Sequence, residues 1–382
     1  MGLRDQIEHE ISASGPIPFS RYMEICLYDV RGGYYSRNAE QFGKAGDFYT
    51  SSDVHAVFGR LISRQFEEMW RALDRPGHLE ILELGPGRGL FARDVLDWSK
   101  AKLPEFFSAL TYTLRESSPA LQAKLQQTMA DHLANGRAAI ALDQSVQPGV
   151  PWIGRSLSRE SPVIVFANEF FDALPVEILS SQGKLHLAFE NGQLAEVWLP
   201  PSKEEVGLLD RFGVHPGEEE RIEASIAGQC WISAIADAIG RGFLVIIDYG
   251  YTRAEQLAGR HRGTLMTYRQ HSASPNPYEA PGEQDLTSHV NFTALNAAIE
   301  QSGMRAEKLL TQAQLLMGIG ESTQFADAFE RCRLPQEHAK VALQLKHLAT
   351  PAGMGETFQV LLASRGIDAG KVSGFSGLRF TY

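Results

Sequence analysis

The stretch Leu79-Glu80-Ile81-Leu82-Glu83-Leu84, followed by Gly85-Pro86-Gly87-Arg88-Gly89-Leu90, decides how this chain reads. Leu79–Leu84 has the look of a short apolar strand, and Leu90–Trp98 carries a helical pattern. A strand, a glycine turn and a helix in that order place a ligand at the strand's carboxyl end. Gly85, Gly87 and Gly89 have no Cβ, so the backbone can turn tightly and come close to a ligand. The N–H groups that open the helix favour a carboxylate or phosphate. A dinucleotide loop, G-x-G-x-x-G/A, would need Gly or Ala at position 90, where Leu90 stands. A G-x-x-x-x-G-K-[ST] phosphate loop is excluded as well, because no Lys follows the last glycine. What remains is G-x-G-x-G behind an acidic strand end.

Outward from this point the chain alternates strands and helices. Leu110–Glu116 reads as a strand, with Ser118-Pro119 as the cap and first turn of the helix after it. Glu116 lies 27 residues beyond Gly89, where an acid at the next strand end would accept hydrogen bonds from ribose hydroxyls. The third strand is either Ala138–Leu142 or Val150–Ile153. Val163–Ala167 and Phe243–Asp248 are near-continuous apolar runs, the mark of central strands covered on both faces. Asn168-Glu169 and Asp248 stand at their carboxyl ends, where ligands lie in open α/β sheets. Asp172 follows Asn168 closely, and the structural alternative for both is capping of a turn. Lys184–Phe189 and Gln193–Leu199 predict a hairpin across Asn191-Gly192.

Before this core, residues 1–75 read as mostly helical, with Thr50 and Asp53 at capping-box spacing ahead of a long amphipathic helix. The run after Glu218 reads as helical, His271–Pro281 as a loop, and Arg305–Leu309 as a strand. Helices fill Gln312–Leu348, and a late strand covers Phe358–Ala363. The pattern predicts an α/β chain with a doubly wound, mostly parallel sheet. Residues 1–75 would form a helical segment and 76–382 the sheet domain, with a helical insertion around 255–355.

Composition bounds the function. The 382 residues are 43% hydrophobic and 21% charged, ordinary globular usage. A net charge of −10, with 36 basic against 46 acidic residues and no basic run, argues against a nucleic-acid partner. Cys26, Cys230 and Cys332 lie far apart and suggest neither a disulfide framework nor a zinc site. No apolar run approaches the roughly 18 residues of a membrane helix, and Met1–Ile11 lacks a signal h-region. The expectation is a cytoplasmic protein without membrane insertion.

Several strings stand together in a recognisable order: Gly15-Pro16-Ile17, Gly33-Tyr34-Tyr35, Gly46-Asp47-Phe48-Tyr49-Thr50-Ser51, Glu83–Gly89, Asn168-Glu169-Phe170-Phe171-Asp172-Ala173-Leu174-Pro175, Ile247-Asp248-Tyr249-Gly250 and Asp285-Leu286-Thr287-Ser288-His289-Val290. In this order, over roughly residues 15 to 320, the chain resembles the MidA family of S-adenosylmethionine-dependent methyltransferases. Ser52-Asp53 departs from it, since the family often has Pro-Glu there. The resemblance implies a Rossmann-like methyltransferase sheet and S-adenosyl-L-methionine as cofactor. It assigns Glu83, Gly85, Gly87 and Gly89 to the cofactor loop and Glu116 to the ribose. Asn168 and Glu169 would face the transferred methyl, and Asp47 and Thr50 would belong to an N-terminal segment folding over the cofactor.

The family's mitochondrial members are associated with assembly of respiratory complex I through dimethylation of an arginine on one of its subunits. That implies a protein substrate, including a respiratory complex subunit. An arginine acceptor is protonated at neutral pH, so carboxylates must orient it and help remove a proton. Glu169 is the first choice, with Asp172 and Asp248 as further candidates. Two rivals share the cofactor half of the reading: a small-molecule O- or N-methyltransferase, and a cofactor-binding assembly factor without turnover.

Overall fold

The computed structural model describes residues 2–37, 56–141, 159–269, 272–274, 276–321, 323–350 and 353–380. Asp47, Thr50 and Asp53 lie outside the described residues, as does the alternative third strand Val150–Ile153.

The chain opens with a helix over Leu3–Ser14, strand β1 (Ile17–Pro18) and a helix over Phe19–Tyr28. After the long helix Val57–Ala72 come β2 (Leu79–Leu84), β3 (Leu110–Arg115), β4 (Ala138–Ile140) and β5 (Val163–Asn168). Then follow β6 (Glu177–Ser180), β7 (Gly183–Glu190), β8 (Gln193–Leu199), β9 (Ile222–Ala224) and β10 (Gly242–Tyr251). The last third holds β11 (Met266–Arg269), β12 (Ser272–Ser274), β13 (Asp285–Thr287), β14 (Val290–Asn291), β15 (Arg305–Ala306), β16 (Leu310–Thr311) and β17 (Phe358–Arg365).

The main sheet runs β15-β17-β10-β5-β2-β3-β4. Its neighbours from β10 to β4 are parallel, and β17 lies antiparallel on β10. The chain therefore winds from β2 outward to β4, then returns to the other side of β2 to lay down β5. Strand order reverses between β2 and β5, and the carboxyl ends of these two strands bound the crevice where such sheets take ligands.

Alternation along the central strands explains their apolar runs. Ile81, Ile164, Phe166, Phe243, Val245 and Ile247 face a core shared with the helices Val57–Ala72 and Leu90–Lys102. Leu82, Leu84, Val163, Val165, Ala167, Leu244 and Ile246 face the opposite core, closed by helices Ile226–Ala238 and Phe292–Gln301. Phe91 stacks on Phe166 with ring centroids 4.5 Å apart, which fixes the helix behind the glycine loop against β5.

A smaller antiparallel sheet, β1-β7-β6-β9 with β8 on β7, stands apart from the main one. The expected hairpin forms β7 and β8, and the N-terminal segment contributes β1 to its edge, Ile17 opposite Leu187. Ile7, Ile11, Phe19 and Met23 bury against Leu185 and Leu187. The helical reading after Glu218 is corrected: Ile222–Ala224 is a strand paired with Glu177–Leu179, and the helix starts at Ile226. Three residues are too few for a period to show, so pairing with a distant strand decided the outcome. Arg305–Leu309 likewise shortens to Arg305–Ala306, paired on β17. Part of the expected loop, Ser272–Ser274, pairs with β11.

Candidate functional site

Gly85, Gly87 and Gly89 all adopt the left-handed region, with φ of 64°, 54° and 75°. A Cβ on Gly85 would come within 3.1 Å of the Phe170 ring. The Gly85 N–H donates to the Arg115 carbonyl, joining the loop to the end of β3. Gly87 N–H donates to Glu116 Oε2 at 3.1 Å, and Ser118 N–H donates to Glu116 Oε1 at 2.9 Å. The loop and the acid at the end of the next strand are thus one bonded unit. Burial pushes the Glu116 carboxyl up to about 7, against the pull of those N–H donors.

Glu83 sits one step deeper. It is buried, and the Tyr112 hydroxyl donates to its Oε2 at 2.8 Å. Burial pushes its carboxyl up to about 8, the Tyr112 bond works the other way, and the neighbouring Glu116 charge adds to the rise. A carboxyl raised above its unfolded value near 4.5 contributes stability that is full below that pH and is lost as pH climbs through about 8. Glu83→Gln keeps an oxygen for Tyr112 and removes the titration. Urea unfolding at pH 6 and pH 8 should show a clear loss for the wild type and a smaller one for the variant.

At the end of β5 the chain turns sharply. Glu169 has φ of 51°, a left-handed conformation that non-glycine residues adopt at a cost of about 1–3 kcal/mol. Its N–H donates to the Ile247 carbonyl, and its Oε1 accepts from Asn168 Nδ2 at 3.0 Å. Asp248 holds the rest of the turn. Its Oδ2 accepts from the N–H groups of Phe170, Phe171 and Asp172 at 3.2, 2.9 and 3.3 Å, and its Oδ1 from that of Tyr249 at 2.9 Å. It is fully buried, and burial with the nearby Asp172 and Glu169 charges raises its pKa.

Asp172 is buried too, and its carboxyl is pushed up to about 6 by burial. The Tyr249 hydroxyl donates to its Oδ2, whereas Oδ1 has no partner among the described residues. Phe170 spans the two halves of the site: its ring lies against Gly85, and it packs edge-on against Trp231 at 5.0 Å. The N-terminal segment reaches the same end of the sheet. Tyr28 hydroxyl donates to the Ala173 carbonyl, Tyr35 hydroxyl to Asp285, and Ser118 hydroxyl to the Tyr35 carbonyl.

So Glu83, Gly85, Gly87, Gly89 and Glu116 form one cluster, Asn168, Glu169, Asp172 and Asp248 a second, and the β2–β5 pairing sets them side by side. Asp47 and Thr50 fall outside the described residues. Sequence reasoning passed over Phe170, Tyr112 and Tyr249. Only the left-handed glycine at 85 hinted at a ring packed on it, and the hydroxyl partners of the two tyrosines had no local signal.

Residues 61–310 match the model of a family of S-adenosyl-L-methionine-dependent methyltransferases. The protein arginine methyltransferase NDUFAF7 homolog, mitochondrial, of Drosophila melanogaster is 28% identical, over 99% of this chain and 88% of its own length. Protein arginine methyltransferase NDUFAF7, mitochondrial, of Danio rerio is 28% identical over 92% of this chain and 84% of its own. The Homo sapiens protein of that name is 24% identical over 95% and 84%. A crystal structure of a Burkholderia thailandensis protein bound to S-adenosyl-homocysteine superposes with a TM-score of 0.79 at 26% identity, over 99% of this chain and 94% of that one.

The expectation of a cytoplasmic protein is overturned by these relatives, which are named as mitochondrial. Composition speaks to how a chain folds and dissolves, whereas compartment is an address read by receptors. Among the described residues no helix is long and apolar enough to cross a membrane.

Proposed function

The chain belongs to a family of S-adenosyl-L-methionine-dependent methyltransferases, and from that premise we propose that it methylates a protein side chain, an arginine, with Glu169 as the residue that handles the acceptor. One observation carries this reading. Glu169 is held in a left-handed turn at the strand-order reversal, directly beside the glycine loop. Strain of that kind persists only where the surroundings enforce it, and Asp248 holds the turn with three main-chain hydrogen bonds, from Phe170, Phe171 and Asp172. The names of the relatives support the arginine and the protein acceptor. A respiratory complex subunit is the acceptor we favour, from the family resemblance.

The donor set fits the cofactor. The loop carries three left-handed glycines, and a carboxylate has acceptor sites beyond the two that Gly87 and Ser118 occupy on Glu116. In our reading Gly85, Gly87 and Gly89 line the cofactor, with Glu83 beneath them bracing the loop through Tyr112. Glu116 takes the ribose hydroxyls, and Asn168, whose buried Oδ1 has no partner among the described residues, holds the methyl-bearing end. Asp47 and Thr50 complete the cofactor side from the N-terminal segment.

When bound, the cofactor supplies a sulfonium methyl that is already electrophilic. The residues of this chain would have to position the acceptor nitrogen against it. Glu169 would orient the guanidinium and take the proton that its nitrogen sheds on methylation. Asp248 acts as a positioning residue, with Asp172 as a second carboxylate along the crevice.

Incubation with labelled S-adenosylmethionine and host-cell lysate tests the acceptor. Label in a protein band, recovered as methylarginine on hydrolysis, is the expected result; label confined to small molecules would overturn it. Glu116→Ala should weaken cofactor binding by about 1–3 kcal/mol in a folded protein. Ribose hydroxyls favour the ionised Glu116, so wild-type affinity should rise as pH passes upward through about 7. Calorimetry at pH 6 and 8 should find that dependence weakened in the variant.

A further inference from the structure

Resting on the reading of Glu169 as the residue that handles a protein acceptor, we infer that the open pocket behind Phe171 is the subsite for an uncharged, aliphatic side chain of the acceptor polypeptide, one that flanks the arginine in sequence. The pocket measures about 430 Å³ including its open mouth. It lies between β9 and the helices Lys203–Phe212, Ile226–Ala238 and Phe292–Gln301. Phe171, Val176, Leu208, Val290, Ala294 and Leu295 give it apolar walls. Ser225, Gln229, His289 and Asn291, also in its lining, are only half-buried, so the pocket opens to solvent.

Continuity with the acceptor crevice sets its role. Phe170 and Phe171 are successive residues of the turn after Glu169, with rings edge to face at 5.4 Å. The Phe170 ring lies against the glycine loop, whereas Phe171 lines the pocket. Ser288, in the same lining, donates its N–H to the Asp172 carbonyl at 2.9 Å. One turn therefore walls both spaces. An extended chain advances about 3.3 Å per residue, so a polypeptide with its arginine at Glu169 carries the neighbouring residues past this wall.

The lining selects against charge. Among the described residues that form it, Glu223 is the one carboxylate. Its Oε1 accepts from the N–H groups of Thr264 and Leu265 at 2.9 and 3.1 Å, and its Oε2 from Thr264 Oγ1 at 2.9 Å. That carboxylate is occupied in pinning a loop. His289 Nδ1 lies 3.1 Å from His261 Nδ1, and burial, with the nearby His261 adding, pushes His289 down to about 4. The imidazole is thus uncharged at neutral pH. Gln229 Nε2 is buried and has no partner among the described residues. An unmet donor costs stability, and a main-chain carbonyl would satisfy it. An apolar side chain beside a carbonyl is what an aliphatic residue of a polypeptide brings.

The test uses the full chain loaded with S-adenosyl-homocysteine and calorimetry with heptapeptides of glycine and serine around a central arginine. Each carries one leucine, placed in turn at each of the other positions. Leucine at one position should tighten binding at least about tenfold over the leucine-free peptide, the low end of what burying that side chain contributes. Lysine or aspartate there should give no gain. Ala294→Leu fills the pocket with a good helix former and should cut the gain to within about twofold, with the leucine-free peptide as control. Gln229→Met, at a half-buried helix position, should lower the gain about threefold, the scale of one hydrogen bond, and covers the case of an Ala294→Leu chain that does not fold. Gain at no position, or a gain that survives both substitutions, would overturn the inference. Arginine peptides that all bind alike would remove the subsite and leave the arginine reading standing. Failure of every peptide, with lysate label confined to small molecules, would remove both.

Discussion

Gly87→Val should abolish binding of S-adenosylmethionine and leave a folded chain. Gly87 has φ of 54° and donates its N–H to Glu116. A β-branched residue in the left-handed region is strained by roughly 1–3 kcal/mol, and relief requires the peptide to rotate away from that carboxylate. The variant then loses the loop's shape and the orientation of Glu116 together, while its branched side chain occupies the approach to the ligand. The sheet beneath is held by β2–β3 and β2–β5 pairing, which the substitution does not touch. Calorimetry should detect no heat of binding, and circular dichroism should match the wild type. A Gly87→Val protein that binds the cofactor within a few-fold of the wild type would remove this loop from the site.

Glu169→Gln should act in the opposite manner, with cofactor affinity nearly intact and methyl transfer reduced roughly 100-fold or more. Glutamine preserves an oxygen for Asn168 Nδ2 and the left-handed backbone held by Ile247 and Asp248, so the turn survives. It loses the negative charge and the capacity to take a proton. The two variants should therefore be indistinguishable in an activity assay and opposite in calorimetry. Full transferase activity of Glu169→Gln on an identified acceptor would move the chemical role to Asp172, since the oxygens of Asp248 are already committed to main-chain N–H groups.

The amino-acid sequence alone indicated the central strands of the main sheet and the glycine turn between β2 and its helix, because the signals there are local. Continuous apolar runs at Val163–Ala167 and Phe243–Asp248 announce strands covered on both faces. Glycines at 85, 87 and 89 announce a left-handed turn that other residues resist, and an acid 27 residues on announces the next strand end. Ser118 shows the same economy: its hydroxyl caps the following helix by accepting from Leu121 N–H, as Ser-Pro spacing predicts. The third strand could be narrowed to two stretches but not chosen, and its pairing with Tyr112–Leu114 then picked Ala138–Ile140. In the five-stranded sheet only the β7–β8 hairpin was legible; β1 and β9, which join Ile17 to Leu187 and Ile222 to Leu179, are two and three residues long and pair with strands far away in the chain. The same holds for the carboxylates. Glu169, Asp172 and Asp248 all read as acids after strands, with Glu169 ranked first, and only the tertiary structure showed how different their surroundings are. Four N–H donors converge on Asp248, a phenol from β10 reaches Asp172, and Glu169 is left at the crevice by a backbone turn. A side chain's chemistry states what it can donate or accept, and neighbours, for Asp248 and Asp172 brought in from as far as 76 and 77 residues away, decide which of those bonds it makes.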